Sequence, residues 1–299
     1  MLALRLRPHL ALAAAALAVS TAAAQAAGAQ AQPRAAGPIS QTRDFGVYEA
    51  GKTDAGKTDA GKTGAAACAP VAVISRGLGV GQAPMRSLAQ ALSNEGWRVI
   101  VMRHPEAGRS VFSGRLVRSG RLTPKTGDEA DPASLKRRAE AIDGALDLAR
   151  KPCDPPFKAL IGHAIGSTTA LIEAGAKPRV AIPARDRFNA YVAISPSGPG
   201  GAFSKGSWAG VSKPVLVVTG TRDLRIRGGW RPRVAAYEDM PAGGKRLAVM
   251  QGATHLALGG LGAPSVRQKV AKSIVDFLGD VRMGEMKADP IPGVEFKEK

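Results

Sequence analysis

Six short apolar runs recur through the chain with helix-period segments between them, and this alternation is the strongest constraint on how it folds. The runs are VAVIS (71–75), RVIVM (98–102), KALIG (158–162), AYVAI (190–194), PVLVVT (214–219) and RLAVM (246–250). They are too short for ordinary helices, rich in Val and Ile, and apolar at consecutive positions, as strands covered on both faces are. Between them, Met85, Leu88 and Leu92 share one face of a first helix, and Leu135, Ile142 and Leu146 one face of a second. Residues 165–176, 231–239 and 265–278 supply three more. Such an order predicts an α/β domain with a mostly parallel sheet and helices on both faces. Its 299 residues, 44% of them apolar, are enough for one sizeable core. The stretch PSGPGGAFSKGSWAGVSK (196–213) is too rich in Gly, Pro and Ser for a helical lid.

The flanks read differently. MLALRLRPHLALAAAALAVSTAAAQA (1–26) has a basic start at Arg5 and Arg7, an apolar run over 10–19 and A-x-A sites near Ala24 and Ala26. These are the parts of a cleaved secretory signal, so a periplasmic or secreted protein is expected. The apolar run falls short of the roughly 20 residues a membrane anchor needs. Residues 27–67 read as a flexible tether, 68–280 as the folded domain and 281–299 as a loose tail. Within the tether, GVYEAGKTDAGKTDAGKTG (46–64) matches G-x-x-x-x-G-K-T three times. A phosphate loop needs a buried strand before it and a helix after it, so that backbone N–H groups converge on the phosphates. QTRDF precedes the repeat and AAACAP follows it, so no ATP site is expected.

The formal charge of +18 draws such a chain towards anionic surfaces or polymers, for instance of the cell envelope. The basic clusters LKRRAE (135–140) and RGGWRPR (227–233) lack aromatic interleaving and match no nucleic-acid motif. They read as solvated arginines, with no specific nucleic-acid partner.

In open parallel sheets, ligands bind beyond the carboxyl ends of the strands, so the residues that follow each run carry the functional signal. KALIG is followed by a turn, Gly162-His163-Ala164-Ile165-Gly166, whose glycines suit a sharp strand-to-helix elbow. PVLVVT leads into GTRDL and hence Asp223, and RLAVM into QGATH and hence His255. Elbow, acid and histidine in that order resemble the α/β-hydrolase family, in particular its dienelactone-hydrolase-like and secreted esterase branch, over roughly residues 68–280. SRGLG (75–79) resembles the family's S-H-G-x-G strand end, and RHPEAGRS (103–110) its H-P-G-x-G-x-S.

The resemblance implies an α/β-hydrolase fold acting on small ester or acyl ligands without cofactor or metal. It implies backbone oxyanion donors at Leu78 and Ile165, an acid at Asp223 and a base at His255. It also exposes two departures: Arg76 stands where the family has histidine, and Ala164 where it has the nucleophilic serine. The family's N-terminal strands are reduced or missing, the tether occupying their place. Arg76, His104, Ser195 and Ser197 are candidate substrate contacts at the strand ends, with Ser195 and Ser197 the substitute nucleophiles to weigh. Ser167 is a helix-turn residue with its hydroxyl on backbone. His104, His163 and His255 come with no carboxylate pattern that would make a metal site. With the family's strand order, VAVIS and KALIG are neighbours, which brings Cys68 and Cys153 close enough for a disulfide.

An alanine methyl cannot attack a carbonyl. Three readings stay open at this point: a hydrolase-fold binding protein without serine chemistry, a His255–Asp223 dyad that activates water or a substrate proton, or an esterase represented by an alanine variant.

Overall fold

All six apolar runs are strands, and their near-complete burial follows from helices packed on both faces of the sheet. The computed structural model describes residues 40–41, 44–51, 68–77, 82–104, 131–151, 153–224 and 229–299. The expected signal segment, most of the tether and Leu78 lie outside them. The strands are β1 (Ser40–Gln41), β2 (Phe45–Tyr48), β3 (Val71–Ser75), β4 (Arg98–Met102), β5 (Lys158–His163), β6 (Ala190–Ile194), β7 (Val215–Arg222), β8 (Lys245–Thr254) and β9 (Val294–Glu298). They form one sheet in the order β1-β2-β4-β3-β5-β6-β7-β8-β9. The six central strands are parallel, while β1, β2 and β9 add antiparallel edges.

Alternate residues of each strand feed two cores. Val73, Ile100, Leu160 and Val217 face α2 (Pro132–Ala149) and α3 (Ile165–Glu173). Ile74, Val99, Ile161 and Val218 face α1 (Gln82–Asn94) and α5 (Pro264–Met283). The segment 231–239 begins as a 3-10 turn (Arg231–Val234) and continues as the short α4 (Ala235–Asp239). In the Gly- and Pro-rich stretch 196–213, Phe203 and Trp208 are fully buried with ring centroids 5.0 Å apart, so that stretch is packed chain without a helix.

Two boundaries differ from the sequence reading. The N-terminal strands are short but present: β2 lies antiparallel to β4, Phe45 opposite Met102 and Tyr48 opposite Val99. The sheet therefore begins by residue 40, and the Gly-Lys-Thr repeat falls between β2 and β3 rather than ahead of the domain. FGVY is only four residues long, and its register with β4 depends on contacts about 50 positions away, so no local pattern reveals it. The tail is also not loose: α5 runs to Met283, and β9 pairs with β8 from Arg246↔Glu298 to Met250↔Val294. VEFKE is half polar because it is an exposed edge strand, and the Arg246 guanidinium reaches Glu298 at 2.6 Å and Asp280 at 2.8 Å. At the amino ends of β3 and β5, Val71 is paired with Lys158, and a disulfide joins Cys68 to Cys153 with their Cα atoms 6.1 Å apart.

Candidate active site

β5 turns into α3 through a single residue, Ala164, held at φ 52° and ψ −119°. A non-glycine residue there is strained by on the order of 1–3 kcal/mol. The turn is tight enough that a β-carbon at Gly162 would overlap the Gly166 carbonyl, and one at Gly166 the Ser75 carbonyl of β3. Those two glycines are what let the elbow close against its neighbour strand. Ile165 opens α3, so its N–H has no helical carbonyl to meet and is available beside the apex. Ser167 is fully buried, and its hydroxyl donates to the Ala164 carbonyl at 2.6 Å.

The acid and base meet because β7 and β8 are neighbours. Arg222 is paired with Thr254, and the next residue on each strand is Asp223 and His255. His255 Nδ1 lies 3.1 Å from Asp223 Oδ1; the imidazole is one-third exposed and the carboxylate fully buried. Ser195 Oγ donates to Asp223 Oδ2 at 2.6 Å and accepts from His255 Nδ1 at 2.6 Å. Thr219 adds a hydrogen bond to Oδ2 at 3.0 Å, and the buried Arg233 guanidinium reaches Oδ1 at 2.8 Å. Burial pushes the Asp223 carboxyl up, but the His255 hydrogen bond, the Arg233 charge and the Ser195 hydroxyl outweigh it and hold it below the ordinary carboxylate range. With Nδ1 committed to this network as a donor, Nε2 carries the basic lone pair.

His163, inside the elbow, lies under the base. Its Nε2–H donates to the His255 carbonyl at 3.2 Å, and the two rings have centroids 4.9 Å apart. Burial, reinforced by the neighbouring His255, lowers its pKa to about 3, so it is a neutral support. His104 is likewise neutral, lowered to about 2 by burial and by the charges of Arg138 and Arg76; its Nε2 lies 3.0 Å from Ser75 Oγ. Among the described residues, no group of three or more His, Cys, Asp or Glu is arranged to hold a metal ion.

Asp223, His255 and the Ala164–Ile165 elbow thus follow the carboxyl ends of β7, β8 and β5, with β6 between β5 and β7. The candidate substrate contacts Arg76, His104, Ser195 and Ser197 also follow central strands, but they are buried, at 5%, 3%, 0% and 7% exposure. Ser195 is also no substitute nucleophile: it sits on the acid side of the imidazole, hydrogen-bonded to Nδ1, with its own backbone at φ 54°. The Arg76 side chain turns inward towards the Met102 carbonyl, 3.4 Å away, and its own carbonyl accepts from Arg138 Nη1 at 2.7 Å.

Arg138 and Arg233 correct the reading of the basic clusters as solvated, since they are 0% and 3% exposed. Arg138 was detectable, lying three residues after Leu135 and four before Ile142 on the apolar face of α2. Arg233 has no such signal. Its role depends on Asp223, ten residues earlier, and on the Ser195 and Pro196 carbonyls, each 3.2 Å from Nη1.

No protein-family model and no curated protein matches the chain. Among solved structures it is similar to a ferulic acid esterase from Streptomyces cinnamoneus, with 19% identity over 80% of this chain and 76% of that one, and a TM-score of 0.53. The mostly parallel sheet flanked by helices agrees with that likeness and gives this chain the α/β-hydrolase fold.

Proposed function

We propose that this is an exported, periplasmic or secreted protein of ester-hydrolase ancestry whose site binds small ester or acyl ligands with little or no serine-hydrolase chemistry. The observation that supports this reading is the backbone of Ala164, which keeps a strained elbow at φ 52° and ψ −119° beside a complete acid–base pair, yet presents only a methyl group. No acyl-enzyme forms at residue 164. Hydrolase sites without their serine retain about 10³ to 10⁴ of rate over water from oxyanion contacts and binding. A second reading makes the His255–Asp223 dyad a general base for water or a substrate proton. It is favoured by the one-third exposure of His255 over a fully buried Asp223. A further reading, a non-catalytic binding protein of the cell envelope, needs no reactive atom at the apex.

Fluorogenic and p-nitrophenyl esters separate these readings. The parent protein should hydrolyse them slowly and without a burst, whereas Ala164→Ser puts a hydroxyl on the elbow, from which this reading has it meet His255. In that variant Oγ attacks the ester carbonyl while His255 Nε2 takes its proton, so a burst and a gain of at least about tenfold are expected. His255→Ala added to Ala164→Ser should remove the gain. If Ala164→Ser matches the parent, the elbow no longer serves acyl transfer and the ancestry reading fails. Parent turnover abolished by His255→Ala selects the dyad.

A further inference from the structure

Four large hydrophobic side chains are exposed among the described residues: Leu224, Leu256, Leu261 and Met283. Three of them stand on the loops that follow β7 and β8. Leu224 follows Asp223, Leu256 follows His255, and Leu261 ends the turn Ala257–Leu261. Since Arg222 pairs with Thr254, Leu224 and Leu256 project two residues beyond matched positions on neighbouring strands. Their exposures are 60% and 39%, and that of Leu261 is 55%. Single exposed leucines are ordinary, but three on adjoining loops around an acid–base pair make a patch.

The charge of those loops says what covers it. The described residues 222–224, 229–234 and 251–271 include one carboxylate, Asp223, which is buried against Arg233. Arg222 and Arg231 are exposed there. Trp230 is half-buried beside them, with the Arg231 guanidinium 5.6 Å from its ring centroid. Leucines, a tryptophan and guanidiniums without exposed acids are the composition of surfaces that sit in the interface of an anionic membrane. A neutral apolar partner would leave the arginines desolvated, and a hydrophilic polyanion would leave the leucines in water.

We propose that the rim of this site docks on an anionic lipid bilayer, with the leucines among the acyl chains and the arginines at the headgroup phosphates. The docking is independent of any chemistry at Ala164, and its test reads no turnover. Trp97 and Trp208 are 2% and 0% exposed, which leaves Trp230, the third tryptophan of the sequence, as the reporter. The full chain is mixed with phosphatidylcholine vesicles, with and without phosphatidylglycerol, whose acyl chains carry bromine. Quenching of tryptophan emission is expected with phosphatidylglycerol present, is lost in Trp230→Phe, and weakens as salt rises. Leu224→Ser with Leu261→Ser, both at exposed positions, should weaken partitioning at least about tenfold. The apolar run over 10–19 is shared by all variants and carries no tryptophan, so its own membrane binding does not enter this signal. The proposal is overturned if quenching is absent, if it is equal on phosphatidylcholine alone, or if the leucine changes leave it untouched. A dimer of the parent chain dispersed by the leucine changes, without vesicle quenching, would assign the patch to a second copy.

Discussion

The two halves of the site are equally well built and differ in what they present. At the ends of β7 and β8, Asp223 accepts from His255, Arg233, Ser195 and Thr219, so the acid is satisfied at both oxygens and the base is oriented. At the ends of β3 and β5, the elbow is held as tightly by Gly162, Gly166 and the Ser75 carbonyl, yet its apex carries no reactive atom. The reason lies in what each side chain does for stability. A buried carboxylate and a buried guanidinium cannot be lost one at a time, because the survivor is left as an unpaired charge. The apex side chain is partly exposed and bonds to nothing, so a change there costs the fold little.

The acid half should respond most strongly to substitution. Arg233→Met should destabilise the protein by about 3–5 kcal/mol in urea unfolding at neutral pH, because Asp223 is left buried without its cation. Adding Asp223→Asn should restore much of that loss. A cost below about 1 kcal/mol for Arg233→Met would show that the carboxylate does not depend on this pair.

Next in size is the response to acid of the two buried histidines. His104 lies beside the elbow half, and His163 between the halves, with pKa values lowered to about 2 and about 3. A depressed pKa means that the unfolded chain binds the proton more readily. The stability from each is therefore complete above about pH 6.5 and falls as pH drops towards the folded value. Each should contribute a slope of about 1.4 kcal/mol per pH unit between roughly pH 6 and 4. His104→Gln and His163→Gln should each remove one proton from that slope, and an unchanged slope would show that these histidines charge in the folded state.

The smallest expected effect isolates the empty apex. Ala164→Gly relieves the positive φ but loosens the unfolded chain, for a net gain of about 0.5 kcal/mol. A clear loss of stability, read from the urea midpoint, would mean that the methyl group is packed rather than presented.

Much of this was legible in the sequence. Consecutive apolar residues marked all six central strands, and strand-end position together with the α/β-hydrolase resemblance singled out Ala164, Asp223 and His255. The edges were not, because FGVY and VEFKE are short, and VEFKE half polar, and both become strands only by pairing with β4 and β8. Nor did the sequence say which way the polar residues at the mouth would turn. Ser195 looked like a nucleophile by position, and the structure puts it behind the histidine, sharing the acid.

Local periodicity, glycine spacing and the identity of one residue were enough to set the order of the six central strands and their helices, the sharp turn at residue 164 and the methyl group at its apex. Only the tertiary structure decided that Arg138 and Arg233 are buried, that Arg76, His104, Ser195 and Ser197 face inward, and that Cys68 reaches Cys153. Burial and hydrogen bonding of a polar side chain are set by whichever distant strand packs beside it, and no window of neighbouring residues contains that information.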